Sequence, residues 1–277
     1  MTQKISWLQI LIKCRDAVQE QIKPLLKTPK QSKKDLGIGA GGDQVKQVDL
    51  SAENAIVSTL QQNHLSFTLI SEEKGIKKYG KTPNENFVTA DPIDGSTNFT
   101  RGIPFYATSI AVSLKPTLNT IHTALVTDLT HDVTYTAQKG KGAYRNIKKI
   151  IPSKETSLED AVVGIELHTD NVANTVSKLA GIIRETKHIR HLGANALELC
   201  YVADGTADAF IDIRERFRTT DLAAAWLILN EANAIITTPE GEPLNAKLDP
   251  KEKVSFIAAA NPRIHSKILN LIKKESK

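Results

Sequence analysis

Phe87-Val88-Thr89-Ala90-Asp91-Pro92-Ile93-Asp94-Gly95-Ser96-Thr97-Asn98-Phe99 is the stretch on which the fold turns. Its first four residues have the pattern of a buried strand, and acids at a strand end followed by Gly usually sit at a site. Pro92 restricts the backbone between Asp91 and Asp94, so both carboxylates can aim at one point. Hard divalent cations take this kind of oxygen cluster and usually leave room for a substrate phosphate. The plain alternative is an Asx turn with helix-capping acids.

Two further acidic segments bear on that choice. Upstream, Leu69-Ile70-Ser71-Glu72-Glu73 is an apolar strand ending in paired acids. Downstream, Thr219-Thr220-Asp221-Leu222-Ala223-Ala224-Ala225-Trp226 opens an apolar helix with an acid, which alone would read as an N-cap. In this order the three segments resemble the inositol monophosphatase family of metal-dependent, lithium-sensitive phosphatases, over nearly the whole chain. The middle motif is the specific one; the other two mean little without it.

Composition narrows the alternatives. The chain has 277 residues, 40% hydrophobic and 24% charged, enough for a substantial core in one or two domains. No apolar run is long enough to span a membrane, and the patch Trp7-Leu8-Gln9-Ile10-Leu11-Ile12 is interrupted by Lys13 and Arg15, which reads as a helix and not a signal peptide. Cys14 and Cys200 have no metal-binding spacing, so zinc and a disulfide framework are unsupported and a reducing cytoplasm is the default. A net charge of +5 suits anionic substrates. With aromatics at 5% and no aromatic-interleaved basic stripe, nucleic-acid binding is the weaker reading. The seven histidines show no ligand spacing, and His188 and His191 read as structural or surface residues.

Periodicity predicts helices over 6–26, ending near Pro24, and over 51–62, with a polar Gly-rich loop from Thr28 to Lys46 between them. Strands are expected at 67–71, 87–90, 107–114, 120–128 and 132–137, the last two joined as a hairpin through Leu129-Thr130-His131. A polar connector, 151–159, is the candidate domain boundary. Beyond it, strands at 161–167, 188–191, 207–213, 234–237 and 256–260 alternate with helices at 171–186, 194–203, 221–232 and 262–273. Such alternation argues for layered sheets and helices. Gly37-Ile38-Gly39-Ala40-Gly41-Gly42 satisfies G-x-G-x-x-G but follows Lys33-Lys34-Asp35, not a predicted strand, and opens no helix. A dinucleotide site needs both contexts, so this stretch reads as a mobile loop.

The family resemblance implies more. The fold would be α+β / α/β, a five-layer αβαβα sandwich of the lithium-sensitive sugar phosphatase type. Residues 1–150 would carry most metal ligands, and 151–277 the substrate contacts and Asp221. Mg²⁺ would be the cofactor: Glu72, Asp91 and the carbonyl of Ile93 for one ion, Asp91, Asp94 and Asp221 for a second, with a third and weaker one near Glu72. Ser96 stands where the family usually has Thr; its hydroxyl, with Glu72, would orient and deprotonate the attacking water. Asp49 matches the acid accepting a hydrogen bond from that hydroxyl; the alternative for it is a cap on the helix starting near Ser51. Gly42 to Asp49 departs from the family pattern, which leaves the roles of Asp43 and Lys46 open.

N–H groups of Gly95 and Ser96 would meet phosphate oxygens. Ile189-Arg190-His191-Leu192-Gly193-Ala194-Asn195-Ala196 resembles a family turn that offers Arg190 and Asn195 to the substrate. The Arg-rich run from Ile211 to Asp221 resembles archaeal-type bifunctional members, with Arg214 as the contact for a second phosphate. The expected activity is Mg²⁺-dependent hydrolysis of fructose 1,6-bisphosphate and inositol 1-phosphate by direct water attack. A homodimer acting on a small phosphate ester, without nucleic acid or membrane, follows from the same resemblance. The alternatives are a nucleotide 3′-phosphatase of the same superfamily, a catalytically silent binding protein on this fold, and a basic nucleic-acid-binding module.

Overall fold

The structure is a computed structural model and describes residues 6–26, 35–42 and 44–275. The first half runs α1 (Trp7–Leu26), β1 (Asp35–Ile38), β2 (Gln44–Lys46), α2 (Gln47–Gln62), β3 (Phe67–Ser71), β4 (Gly75–Tyr79), β5 (Phe87–Asp94) and α3 (Ser96–Arg101). It continues with β6 (Ala107–Ser113), β7 (Ile121–Asp128), β8 (Val133–Gln138), β9 (Ala143–Arg145) and β10 (Lys148–Lys149). The second half runs β11 (Val162–Ile165), α4 (Val172–Glu185), β12 (His188–Arg190), α5 (Asn195–Asp204), β13 (Ala209–Arg218), α6 (Thr219–Ala232), β14 (Ile235–Thr237), β15 (Lys253–Ala259) and α7 (Pro262–Glu275).

Two large sheets result. The first has the order β10-β9-β8-β7-β6-β5-β3-β4 and the second β12-β11-β13-β15-β14, and the chain crosses between them after β10. On the outer face of the first sheet lie α1 and α2. Trp7, Leu11, Cys14, Val18 and Ile22 recur every three or four residues along α1 and meet Val48, Ala52, Ile56 and Leu60 of α2 in one apolar cluster with Leu69, Val88 and Ile110 of the sheet. Between the sheets lie α5 and α6, buried on nearly all sides because each has a sheet above and below. Their Leu197, Cys200, Leu222 and Ile228 pack with Tyr135 and Val126 of the first sheet and Phe210, Phe217 and Phe256 of the second. On the far face α4 and α7 bury Leu179, Ile182, Ile264 and Ile268 against Val163, Ile211 and Ile257. The layers are therefore αβαβα, as the resemblance implied.

Several boundaries differ from the sequence reading. α2 starts at Gln47, not near Ser51, and α1 carries Pro24 inside its last turn. β4 and β10 are short edge strands whose lysines hide any alternation, and β9, beside β10, is only three residues long. The Gly-rich stretch is bracketed by β1 and β2, which pair antiparallel; Asp43 lies outside the described residues. Among the described residues no helix is long and apolar enough to cross a membrane.

Candidate metal centre

β3 and β5 are parallel neighbours, with Ser71 beside Ala90, so their C-terminal ends deliver Glu72 and Asp91 to one place. α6 opens toward the same point and carries Asp221 in its first turn. Carboxylate oxygens of Glu72, Asp91 and Asp221 lie within 4.8 Å of one another. Around them is a cleft of about 530 Å³ lined also by Lys46, Asp49, Ile93, Asp94, Gly95, Ser96 and Asn195.

This cluster is electrostatically incomplete. Burial, then Asp221, Glu72 and Asp94, push the Asp91 carboxyl well above its ordinary range, with Arg218 pulling the other way. An all-oxygen, crowded donor set of this kind fits hard divalent cations, whose charge removes that repulsion. Asp94 stands beside the cluster. Its Oδ1 accepts from the Asn195 N–H at 3.0 Å and its Oδ2 from the Ala196 N–H at 2.7 Å, so it also caps α5. Burial first, then Asp221, raises its pKa to about 7.

Gly95 makes the sharp turn after β5. It has φ +83°, and a Cβ there would lie 3.0 Å from the Ala194 Cβ and the Gly193 carbonyl. The turn leads into α3 at Ser96, whose Oγ accepts from Lys46 Nζ at 2.8 Å; Thr97 Oγ1 accepts from the same ammonium at 3.1 Å. Asp49 is the third residue of α2, and its Oδ2 accepts from the Lys46 N–H at 3.0 Å. Asp49 thus caps the helix and also lines the cleft. Its Oδ1 is buried without a hydrogen-bond partner, and burial raises its pKa to about 7. The expected bond from Ser96 to Asp49 is not made here; Lys46 is the partner of that hydroxyl.

The sequence profile of the inositol monophosphatase family matches residues 6–277. The chain belongs to the inositol monophosphatase family. The fructose-1,6-bisphosphatase/inositol-1-monophosphatase of Methanothermobacter thermautotrophicus is 34% identical over 275 residues, 96% of each chain. A bifunctional NADP phosphatase/NAD kinase of Methanococcus maripaludis is 34% identical over 281 residues, which make up 95% of this chain and 49% of that protein. A crystal structure of an inositol monophosphatase–fructose 1,6-bisphosphatase superposes with a TM-score of 0.84 at 30% identity, covering 96% of this chain and 100% of that one.

Within this family member, the second-half contacts differ from expectation. Asn195 lines the cleft, its Oδ1 buried without a hydrogen-bond partner. Arg190 does not reach the cleft. It donates to its neighbour's carbonyl, Ile189 O, at 2.9 Å and lines a separate apolar cavity of about 250 Å³ with Leu192, Tyr201 and Phe210. Arg214 is not a cleft residue either. Its guanidinium is held by Asp212, by Glu166 at 3.1 Å and by the His168 carbonyl at 2.7 Å. The reason is strand geometry: Asp212 is two residues back on the same face of β13, and Glu166 directly follows the adjacent β11.

Three cleft residues were not singled out from the sequence, Thr97, Glu166 and His168, and Arg218 of the Arg-rich run, a phosphate contact or a surface charge on sequence grounds, lines the cleft as well. Glu166 carried the same signal as Asp91, an acid at the end of an apolar strand. Arg218 sits three residues before Asp221, one helical turn away across the start of α6.

Proposed function

We propose that this chain is a Mg²⁺-dependent phosphate monoester hydrolase acting on fructose 1,6-bisphosphate and inositol 1-phosphate. The observation that carries it is the convergence of Glu72, Asp91 and Asp221 in the wall of a cleft that also holds Ser96 and Lys46. Glu72, Asp91, Asp221 and the Ile93 carbonyl would hold the ions, with Asp94 as an outer ligand. Divalent cations there would supply charge neutralisation of the phosphoryl group and lower the pKa of the attacking water.

The remaining steps belong to side chains. Glu72 takes the proton of the attacking water. An ammonium only donates hydrogen bonds, so Lys46 leaves the Ser96 hydroxyl its own proton to aim. Asp49 Oδ1 is the buried acceptor available to that hydroxyl. The Gly95 turn brings backbone N–H groups to the phosphate. Asn195 and Glu166 face the leaving group, which is a polyol in both substrates. With Arg214 neutralised by two acids, Lys46 and Arg218 are the cations of the cleft for a bisphosphate. Residues 1–150 then supply most of the metal ligands, and 151–277 supply Asp221 and the leaving-group wall. A cytoplasmic homodimer in carbohydrate metabolism is part of the same reading.

Phosphate release with Mg²⁺ tests it, using fructose 1,6-bisphosphate, inositol 1-phosphate, adenosine 3′,5′-bisphosphate and NADP. Release from the first two, reduced at least ~100-fold in Asp91→Asn, is expected. Dominant release from a nucleotide would replace the substrate assignment, and release that survives in Asp91→Asn would end the metal assignment.

A further inference from the structure

Arg218 touches the acidic cluster directly. Its Nη2 lies 2.9 Å from Glu72 Oε1 and its Nε 3.5 Å from Asp221 Oδ2, so one guanidinium spans two of the three clustered acids. The side chain is 17% exposed, so this pairing is poorly screened by water. Its position is imposed from two sides. Arg218 ends β13 immediately before α6, which sets it one turn from Asp221. Gly41 covers it from the loop between β1 and β2: the Gly41 N–H donates to the Glu72 carbonyl at 2.8 Å, and a Cβ on Gly41 would lie 2.8 Å from Glu72 Cγ and 3.3 Å from Arg218 Nη1.

We propose that Arg218 is a cationic placeholder that competes with the divalent ion for Glu72 and Asp221, and thereby sets how tightly the ion binds. This rests on the reading of Glu72, Asp91 and Asp221 as metal ligands. In the ion-free protein the guanidinium offsets part of the repulsion among the acids. An ion held by Glu72 takes the oxygen that Arg218 now occupies, so the arginine gives up that contact and turns into the cleft, where an anionic substrate lies. Metal affinity is therefore weakened by the strength of the pairing that must be broken. The planar fork suits this exchange, because it can bridge two carboxylates or, once displaced, face a phosphate.

Titration of the ion-free protein with Mn²⁺ by calorimetry tests the idea, alongside its thermal midpoint in chelator and in saturating Mn²⁺. Arg218→Gln should bind Mn²⁺ about fivefold more tightly, the equivalent of one partly exposed ion pair. It should also melt earlier than wild type in chelator, with the gap closing in Mn²⁺. Arg218→Lys, which keeps the charge but cannot bridge two acids, should fall between the two and guards against a folding defect in the glutamine variant. Unchanged or weaker Mn²⁺ binding in both variants overturns the placeholder role. A wild-type protein that binds no Mn²⁺ overturns the metal reading itself, and this inference with it.

Discussion

Glu198 shows how a single residue couples the two sides of the cleft wall. Its Oε1 accepts from the N–H groups of Leu192 at 3.2 Å and Gly193 at 3.0 Å, which holds the turn that abuts Gly95. Burial raises its pKa from 4.5 to about 7, against those two backbone bonds. Below the unfolded value both states carry the proton and the group costs nothing. Between 4.5 and about 7 the unfolded chain releases its proton while the folded chain keeps it, so stability falls as pH rises, and the loss is complete above about 7. Glu198→Gln keeps the acceptor and removes the charge. Its thermal midpoint relative to wild type should be flat in acid and rise by a few degrees across that window; parallel curves for the two proteins would refute the shift. Arg214 teaches the complementary lesson. Three arginines close together suggested a phosphate contact, but Asp212 on the same strand face and Glu166 on the neighbouring strand claim Arg214 first.

Among the elements, β11 and β13 are held close by a missing side chain. A Cβ on Gly164 would lie 2.5 Å from Phe210 Cδ2 and 3.3 Å from Glu198 Oε2. Gly164→Ala should therefore cost ~1–3 kcal/mol by overpacking, read as a lower denaturant midpoint; an unchanged midpoint would mean that Phe210 moves freely. Helices and buried strands were legible because their periods are written in the chain. The start of α2 at Gln47 was not, because its N-terminal capping comes from Asp49 reaching back to Lys46 rather than from a preceding Ser, Thr or Asp. β4 was not legible either, since an edge strand needs only one partner and can carry lysines on its exposed positions.

For the whole molecule, the central layer belongs to both halves. Ile70, Ala107 and Tyr135 share one apolar cluster with Leu197, Leu222 and Phe256. Asn98 ties the halves at the site itself, donating from Nδ2 to Phe105 O at 2.8 Å and to Leu192 O at 2.7 Å. Asn98→Ala leaves two half-buried carbonyls short of a donor and should cost ~1–2 kcal/mol in urea unfolding. It should also reduce turnover by about tenfold or more, because the two walls of the cleft lose register. Full turnover in a destabilised variant would show that Asn98 serves the fold and not the site.

Local sequence determined the pieces. Asp91 and Asp94 sit within one four-residue stretch with Pro92 between them, so their proximity needed no tertiary contact, and the apolar run before them together with the Gly95 turn after them placed them toward a strand end. The family pattern extended this to Glu72 and Asp221. Only the folded chain could decide which charges pair across it. Arg218 on Glu72 and Asp221 and Arg214 on Asp212 and Glu166 are choices among several oppositely charged partners, and Lys46 on the neutral Ser96 hydroxyl is a choice among several acceptors; separation through space, not along the sequence, settles each.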